Sequence, residues 1–326
     1  MQTLEALQRK VRTAEELHSV VKTMKALAAV SIRQYEKAVE SLAAYQRTVE
    51  LGLRIVLATG PDRTTIARPA PHRGVGAIVF GSDQGMCGQL NEQIAAHAMH
   101  ALQQAGAPPR DHRLATVGGR VAARLEEAGQ PVGARFTVPD SIATITPRVQ
   151  ELLLHIEAWH AQRHLDHVYL FYSRHLSSAS YQPHTVRLLP VDQAWLQRVQ
   201  QQAWPSQTLP TFTMDRERLF SALIRQYLFI SLYQALAESL ASEHASRLAA
   251  MQHADRNIQE RLEELRAQFR QQRQLAITTE LLDIVAGFEA LTTTQRQPSQ
   301  RSSSLPMISW GAASVPSHGG ETAPRC

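Results

Sequence analysis

Residues 242–269 read SEHASRLAAMQHADRNIQERLEELRAQF, a polar run that contains neither glycine nor proline. Both residue types are also missing from the longer segment Met214–Ala286 and from the segment Met1–Leu51. Because glycine and proline interrupt helices, these two segments predict long helices that flank a more compact centre.

Apolar residues in both segments recur in steps of three and four, a period of about 3.5 residues that is typical of coiled coils. In the C-terminal segment, with Asp255 as the one polar interruption, they are Phe220, Leu223, Tyr227, Ile230, Ala237, Ala241, Leu248, Met251, Ile258, Leu262, Leu265 and Phe269. In the N-terminal segment, with Gln46 as the interruption, they are Ile32, Tyr35, Val39, Leu42, Val49 and Leu53. A wider apolar stripe is predicted upstream, formed by Leu17, Val20, Val21, Met24, Leu27 and Ala28.

The C-terminal segment is too long to lie within a domain of this mass. From Asp215 to Ala286, a continuous helix would extend roughly 110 Å at 1.5 Å per residue. A helix that projects alone would leave its apolar stripe in water, so it needs a partner. The N-terminal segment has the matching character, and a globular insertion between the two favours antiparallel pairing. We therefore expect a long antiparallel two-helix coiled coil.

The centre of the chain, residues 70–210, alternates short apolar runs with helical patterns. Predicted strands are GVGAIVFGS (74–82), HRLATVGG (112–119), DHVYLFYSR (166–174) and TVRLLPV (185–191). Predicted helices are QLNEQIAAHAMHALQQAG (89–106), RVAARLEEAG (120–129) and PRVQELLLHIEAWHAQRH (147–164), the first two closed by Gly106 and Gly129. This alternation predicts a Rossmann-like α/β domain with a largely parallel sheet.

Composition excludes several classes of protein. The net charge of +5 is spread thinly, and no basic patch interleaved with aromatic residues indicates nucleic-acid binding. Two cysteines, Cys87 and Cys326, exclude a disulfide framework and favour a reducing, cytoplasmic setting. No run of 18 apolar residues occurs, and the charged N-terminus lacks the apolar core of a signal peptide. A role at a membrane would therefore require a partner.

The motif FGSDQGMCGQLNE (80–92) is the most conspicuous candidate for chemistry. A glycine-rich turn between a strand and a helix can hold phosphate, and Cys87 at a helix start could be activated by the helix dipole. The motif lacks both the Lys-Ser/Thr of a nucleoside-triphosphate loop and the three-glycine dinucleotide spacing. The structural interpretation is that Gly81, Gly85 and Gly88 shape a tight turn in which Cys87 packs as a small apolar residue.

Histidines raise the question of a metal site. His160, His164 and His167 follow one another in steps of four and three beside Asp166, and His97 and His100 are three apart. A zinc site needs three or four converging ligands, whereas His160 and His164 share a solvated helix face in this interpretation. We expect neither a metal nor a cofactor, and we find no complete set of catalytic residues.

Basic residues are in excess near the N-terminus. Between Arg9 and Arg33 there are two acidic residues and six basic ones, the latter being Arg9, Lys10, Arg12, Lys22, Lys25 and Arg33. A coiled coil with no further partner usually mixes the two signs. The excess is consistent either with a solvated face or with a helix end that meets acidic loops of a partner.

Four segments resemble the γ subunit of F-type ATP synthases, in the same order and at the family's spacing. VVKTMKALAAVSI (20–32) is similar to its K-x-x-x-A-M-x-M-V-A-A-S, and GSDQGMCGQLN (81–91) to its G-S-D-R-G-L-C-G-G-L-N. ASEHASRLAAMQHADRNIQERLEEL (241–265) and RQLAITTELLDIVAGFEAL (273–291) resemble A-S-E-x-x-A-R-M-x-A-M-x-x-A-x-x-N and R-Q-x-x-I-T-x-E-L-x-E-I-V-x-G-A-x-A-L. The resemblance covers nearly the whole chain up to Leu291.

This resemblance implies a non-catalytic central-stalk rotor that couples ion flow to ATP synthesis or hydrolysis. One copy would stand inside a ring of three α and three β subunits and contact the ε subunit and the ring of c subunits. Membrane association, on the cytoplasmic side, would come through the c ring alone. The implied parts are the coiled-coil helices 1–58 and 214–291 and the α/β foot 70–210. The tail 292–326 has no counterpart in the family and is predicted to be disordered, because it is rich in Ser, Thr, Pro and Gly.

The resemblance also implies partner contacts at particular positions. Contacts with β subunits are implied along the coiled coil at Met24, Lys25, Glu243, Arg247, Arg273 and Gln274. Contacts in the foot are implied at Gly81, Ser82, Asp83, Gly85, Cys87, Gly88 and Asn91. Gln84, Met86 and Gln89 depart from the family's Arg, Leu and Gly, which is consistent with a divergent, N-type branch. Two other hypotheses remain open, namely a coiled-coil adaptor and an enzyme that uses the α/β domain.

Overall fold

A computed structural model of the chain describes residues 3–58, 74–104, 112–163, 165, 167–177, 180–202, 204–205, 207–208 and 210–295. The chain falls into two compact units, Met1–Gln268 and Phe269–Cys326. Gly106, His164, Asp166 and the predicted tail from residue 296 onward lie outside the described residues.

Helices and strands alternate through the first unit. In chain order they are α1 (Leu4–Ala58), β1 (Val75–Phe80), α2 (Leu90–Gln104), β2 (His112–Val117), α3 (Gly119–Glu127), β3 (Val132–Phe136), α4 (Ile142–Arg163), β4 (His167–Ser177), β5 (Ser180–Leu189), α5 (Gln193–Gln201) and α6 (Arg216–Gln295), which continues into the second unit. None of the helices within these described ranges combines the length and the apolar character that a membrane span requires.

The predicted α/β domain with a largely parallel sheet is confirmed. Its five strands lie in the order β3-β2-β1-β4-β5, and only β5 runs antiparallel to its neighbour. The sequence prediction missed β3 and α5. The first is a five-residue strand at the sheet edge that contains a glycine and has no fully buried side chain. The second is a short helix whose start depends on the cap Asp192, which accepts a hydrogen bond from the Ala194 N–H.

The sheet is covered by helices on both faces, and alternation along β1 shows how. Ile78 and Phe80 pack in one cluster with apolar residues of α4 and α6. Val75, Ala77 and Val79 pack in another with residues of α2 and α3. Successive side chains of a strand point to opposite faces, so β1 is buried on both sides. The helix α6 therefore belongs to the core of the α/β domain as well as to the pair it forms with α1.

Within the first unit, α1 and α6 pair along their lengths. Contacts between them join Glu15 to Arg266, Lys25 to Asp255, Tyr35 to His244, Tyr45 to Gln226 and Val56 to Arg216. As the residue number rises on α1 it falls on α6, so the pair is antiparallel as predicted. Val49 and Leu53 of α1 pack with Ile230 of α6 in a small apolar cluster of their own.

The predicted apolar stripe upstream on α1 is only partly correct. Ala28 is buried, and Val21 and Met24 are half-buried. Leu17, Val20 and Leu27, however, are 53%, 55% and 63% exposed. The reason is geometrical, because a pair of helices covers only a narrow strip of each helix and these three residues lie outside it.

In the second unit, the described residues continue the helix from Phe269 to Gln295. Between residues 273 and 291 every side chain is exposed, although many are apolar. The large ones are Leu275, Ile277, Leu281, Leu282, Ile284, Val285, Phe288 and Leu291. An apolar surface of this extent is typical of a segment that binds another protein.

Candidate functional site

The turn between β1 and α2, residues 81–91, is held by a closed set of hydrogen bonds. The Gly81 N–H donates to the Val117 carbonyl at 2.8 Å. Asn91 binds Ser82 twice, since its Oδ1 accepts from the Ser82 N–H at 3.0 Å and its amide donates to Ser82 Oγ at 2.9 Å. Ser82 Oγ in turn donates to the Gln84 carbonyl at 2.7 Å. The turn is therefore a rigid connection.

A side chain at Gly81 could not be accommodated. A Cβ there would lie 2.5 Å from Val121 Cβ and 2.6 Å from Asn91 Oδ1. Gly118, at the end of β2, has φ +116 and brings the backbone of α3 close to the Ser82 carbonyl. The two glycines let α3 approach the turn more closely than any other residue type would allow.

Asp83 fills the position that a bound anion would take. Its Oδ1 accepts from the Gly119 N–H at the start of α3, and its Oδ2 accepts from the Val138 N–H, both at 2.7 Å. The first turn of a helix offers free N–H groups and a positive dipole end, and phosphate groups bind such places in many proteins. Here the chain supplies the negative charge itself.

The surroundings of Cys87 are those of a packed core residue and not those of a reactive thiol. Its side chain is 2% exposed, and its sulfur lies 3.4 Å from Ser82 Oγ. Burial raises the pKa of the Cys87 thiol, against the opposing effect of the Ser82 hydrogen bond. Reactive cysteines show the reverse, a lowered pKa and an accessible sulfur. The geometry supports the structural interpretation of the motif.

Two serines of α6 contact the α/β domain. Ser246 Oγ donates a short hydrogen bond to the Cys87 carbonyl, and a Cβ at Gly88 would lie 3.3 Å from the same hydroxyl oxygen. Ser242 Oγ donates to the Ser173 carbonyl of β4 at 2.7 Å. Both serines are buried. We call residues 242–247 the contact segment of α6.

An ion pair lies inside the same segment. Arg247 donates to Glu243 Oε1 at 2.6 Å, and the two residues are 7% and 6% exposed. Burial raises the pKa of Glu243, while Arg247 opposes that effect. His244 stacks on Tyr35 of α1 with ring centroids 5.6 Å apart, and burial lowers the pKa of His244 to about 4. The contact segment thus joins α1, the turn and β4 around buried polar groups.

Lys25 forms an ion pair with Asp255 of the facing helix. Its Nζ lies 2.6 Å from Asp255 Oδ2, and His18 Nε2 lies 2.9 Å from Asp255 Oδ1. The hydrogen bond from Lys25, followed by that from His18, lowers the pKa of Asp255. Sequence reasoning noted Asp255 only as a polar interruption among apolar positions. A buried acid in such a row was the available signal for a basic partner on the facing helix.

The predicted partner contacts differ in accessibility. Glu243, Arg247, Gly81, Ser82, Cys87 and Asn91 are buried inside the described chain. Met24, Lys25, Asp83, Gly85, Gly88, Arg273 and Gln274 are half-buried or exposed. Contact with a partner stays a prediction for all thirteen residues, and those of the second group are the ones accessible in the described chain. The structure brings the turn and the contact segment together, whereas Lys25 pairs with Asp255 farther along the two helices.

Two of the residues weighed for a metal site, His164 and Asp166, lie outside the described residues. Among the residues that the structure describes, no three histidine, cysteine, aspartate or glutamate side chains are arranged to hold a metal ion. His97 bonds instead to Thr185 Oγ1 at 2.8 Å.

Solved structures share this fold. A chain of the Euglena gracilis mitochondrial ATP synthase, in a structure described as OSCP/F1/c-ring in rotational state 3, aligns with TM-score 0.61 and 16% identity and covers 93% of this chain and 99% of its own. A chain of the Tetrahymena thermophila mitochondrial ATP synthase, from a structure of the central stalk and c ring, aligns with TM-score 0.53 and 21% identity over 72% and 99% of the two chains.

Sequence comparisons agree with one another. The ATP synthase gamma chain of Nostoc punctiforme is 26% identical over 316 residues, and the alignment covers 90% of this chain and all of the relative. The gamma chain of Moorella thermoacetica is 27% identical and covers 87% and 98% of the two chains. The family model described as ATP synthase matches residues 3–291. This match across almost all of the described residues, together with these relatives, shows that the chain belongs to the ATP synthase family, among its γ chains.

Proposed function

We propose that the chain is the central-stalk rotor of an F-type ATP synthase and carries torque between the membrane c ring and the catalytic head. The observation that carries this proposal is the antiparallel pairing of α1 with α6, from Glu15–Arg266 at one end to Val56–Arg216 at the other. A pair of long helices that ends in a folded α/β domain is suited to transmit rotation. Residues 1–58 and 214–291 form the shaft, and residues 70–210 form the foot.

The mechanism follows from symmetry. Two paired helices have a lopsided cross-section, whereas a ring of three identical catalytic sites is three-fold. Each site therefore meets a different face of the shaft at any moment, and its conformation responds to the difference in contact free energy. Ion flow turns the c ring and the foot, and rotation of the shaft changes the three sites in turn. Hydrolysis drives the same cycle backward.

The proposed assembly holds one copy of this chain with three α and three β subunits, the ε subunit and the c ring, on the cytoplasmic side of the membrane. One of the similar structures is of a central stalk with its c ring, and the other is of OSCP, F1 and the c ring, which supports this set of partners. The chain contributes no catalytic residue, because nucleotide and magnesium bind to other subunits.

Partner contacts are proposed on two parts of the shaft. Met24 and Lys25 lie on α1, and Arg273 and Gln274 lie on the exposed part of α6. In the foot, the accessible candidates are Asp83, Gly85 and Gly88. The exposed apolar side chains between residues 273 and 291 support a binding role for that segment, because such a surface is costly to leave in water.

Two other hypotheses are less well supported. An enzyme built on residues 81–91 would need an accessible reactive group, but burial covers the Cys87 sulfur and raises its pKa. The helix start that could bind an anion already donates its Gly119 N–H to the Asp83 carboxylate. A coiled-coil adaptor would share the helix pair, but it would not associate with an α/β hexamer.

Co-expression with α and β subunits from the same source tests the proposal. We expect a complex with one copy of this chain per three α and three β subunits, and ATPase activity in that complex. Recovery of the chain with other proteins, but not with α and β, would support the adaptor. Catalytic activity of the purified chain by itself, with ligand binding at residues 81–91, would support the enzyme.

A further inference from the structure

We infer that the contact segment of α6, residues 242–247, closes the ligand-binding edge of the α/β domain and locks the foot to the shaft, with Ser246 as its main positioning residue. This inference rests on the proposed rotor function. It assigns a role to the glycine-rich turn that needs no ligand.

The location of this edge follows from the strand order. Strands β1, β2 and β3 extend to one side of the sheet, and β4 then pairs on the other side of β1. Open α/β sheets bind their ligands outside the carboxyl ends of the strands at such a reversal of direction. The 81–91 turn stands at the carboxyl end of β1. Val79 is paired with Phe171, so Ser173 of β4 lies two residues beyond that level.

The contact segment occupies this edge. Ser242 donates to the Ser173 carbonyl of β4, and Ser246 donates to the Cys87 carbonyl in the turn that follows β1. One face of α6 therefore binds one strand at the reversal and the turn that continues from the other. The four groups are buried, with exposed fractions between 0% and 4% for the serines and Cys87. A cofactor could not enter without displacing the helix.

The second half of the edge is closed by Asp83. Its two oxygens bind the N–H groups of Gly119 and Val138 at the carboxyl ends of β2 and β3. A phosphate group in a doubly wound fold would compete for the first of these N–H groups. Together, Asp83 and the contact segment satisfy the backbone groups that a ligand would otherwise bind.

Buried charge also lies at this contact, in a pair formed by two residues of α6. The Glu243–Arg247 ion pair is enclosed within the same segment, and Asp83 adds a further negative charge close enough to raise the pKa of Glu243. Buried polar groups tolerate few alternative arrangements, because each must keep its partner. We therefore expect the foot and the shaft to turn as one body, without slipping at this contact.

A substitution at Ser246 tests the inference in the reconstituted holoenzyme. Ser246→Leu would overfill the space beside Gly88 and push the turn from α6. We expect ATP-driven ion pumping into vesicles to fall about tenfold, a change equivalent to about 1.4 kcal/mol, while ATP hydrolysis by the complex with α and β stays within about twofold of wild type. The matched control is Ser231→Ala, because the Ser231 hydroxyl donates to the Tyr227 carbonyl within the same helix.

A crosslink provides a second measurement that does not depend on a disruptive variant. In a chain with Cys87→Ser and Cys326→Ser, the pair Gly88→Cys and Ser246→Cys places two sulfurs within disulfide range, since a Cβ at 88 lies 3.3 Å from Ser246 Oγ. We expect the disulfide to form. ATP-driven pumping by the oxidised chain should stay within about twofold of that by the same chain in its reduced form, because a contact that never opens is not disturbed by a covalent bond. The single-cysteine chains serve as controls.

The outcomes separate this inference from the proposed function. If the wild-type chain fails to assemble with α and β, the rotor proposal itself is wrong. If the wild type pumps ions but Ser246→Leu pumps equally well, only the inference is wrong. Loss of pumping on oxidation that is restored by reduction, or failure of the cysteine pair to crosslink, would also overturn it, since the contact would then open or not exist.

Discussion

At Asp255, a carboxylate stands in a row of apolar side chains and binds two basic residues of the facing helix. Lys25 and His18 contact its two oxygens at 2.6 Å and 2.9 Å. An apolar row by itself permits two helices to slide by a turn at little cost, whereas a single buried polar residue specifies one register. The three residues therefore determine how α1 and α6 align.

We predict that Asp255→Asn lowers the stability of the chain at neutral pH and removes part of its sensitivity to acid. Asp255 has a lowered pKa in the fold, so its contribution to stability is present above its unfolded pKa and is lost as the pH falls through the folded value. Urea denaturation of the purified chain at neutral and acidic pH measures both effects. Asp283→Asn, at an exposed position of α6, is the control, and equal midpoints for the two variants would contradict the prediction.

His244 predicts a second dependence on pH. Its pKa is lowered from 6.5 to about 4, mainly by burial and then by Arg247, so the folded chain binds a proton at this ring less readily than the unfolded chain. The contribution of neutral His244 to the free energy of unfolding is fully present above pH 6.5 and declines as the pH falls toward 4. From this group alone, the decline is about 1.4 kcal/mol per pH unit.

The variant His244→Phe keeps a ring against Tyr35 and removes the titrating group. We expect its free energy of unfolding to fall less steeply than that of the wild type between pH 6.5 and 4, the window set by His244. His244→Gln, which lacks the ring, should flatten the same slope while it lowers stability at neutral pH. Unfolding curves at several pH values check this, and a wild-type slope in both variants would contradict it.

At the scale of elements, the close approach of α3 to the carboxyl end of β1 depends on residues without side chains. Gly81 and Gly118 stand where the two elements meet, and each would place a Cβ within 3 Å of backbone or side-chain atoms across the contact. The hydrogen bond from the Arg120 N–H to the Ser82 carbonyl, at 2.9 Å, depends on that approach. The turn is held by its neighbours as much as by its own bonds.

We predict that Gly81→Ala destabilises the chain by about 1–3 kcal/mol, the usual cost of overpacking a closed core, because its methyl group would overlap Val121 and Asn91. Gly287→Ala is the matched control. It lies in a helix with open space around it, and a helical glycine replaced by alanine gains up to about 1 kcal/mol. Urea denaturation measures both, and equal behaviour of the two variants would contradict the predicted contact.

Elements with a strong periodic pattern could be predicted from the sequence, and those that depend on neighbours could not. The uniform apolar run Val75–Phe80 indicated a strand buried on both faces, and the structure has one there. The strand β3 is half-exposed and includes Gly133, so its pattern does not differ from that of a loop. Exposure of Leu17, Val20 and Leu27 could not be predicted either, because it depends on how much of α1 the facing helix covers.

For residues of the site, too, local patterns could be predicted from the sequence, whereas contacts with distant parts of the chain could not. The motif at 81–91 was visible as a turn, but sequence alone did not show that Ser242 and Ser246 bind its surroundings from a helix more than 150 residues away. Asp83, Glu243 and Arg247 were noted as candidate partner contacts because they belong to recognisable segments. Within the described chain they bind backbone N–H groups and each other, which only the three-dimensional arrangement reveals.

At the scale of the whole molecule, α1 pairs with the part of α6 that lies in the first unit, and the α/β domain is inserted between these two helices in the sequence. The contacts from Glu15–Arg266 to Val56–Arg216 join α1 to the part of α6 in the first unit. The second unit presents Arg273, Gln274 and a row of apolar side chains in an exposed helix. Rotor function requires both a stiff pair of helices and an exposed surface that partner subunits can contact.

We predict that the double variant Arg273→Ala and Gln274→Ala assembles with the other subunits but couples hydrolysis to ion pumping poorly. Both residues are exposed, so neither substitution removes a contact that holds the chain together. The measurement is the ratio of ATP-driven pumping to ATP hydrolysis in the holoenzyme. Arg270→Ala with Gln271→Ala, also exposed on the same helix, is the control, and unchanged pumping in the 273–274 variant would refute the proposed contact.

The pairing of α1 with α6 also determines when, during synthesis of the chain, α1 can be buried. Glu15 finds its partner Arg266 only after 251 further residues have left the ribosome. At about 5–20 residues per second, that interval lasts roughly 10–50 s, during which the buried positions of α1 stay in water. The nascent chain is thus most prone to aggregate before its last helix emerges, and protection by a chaperone would matter most in that interval.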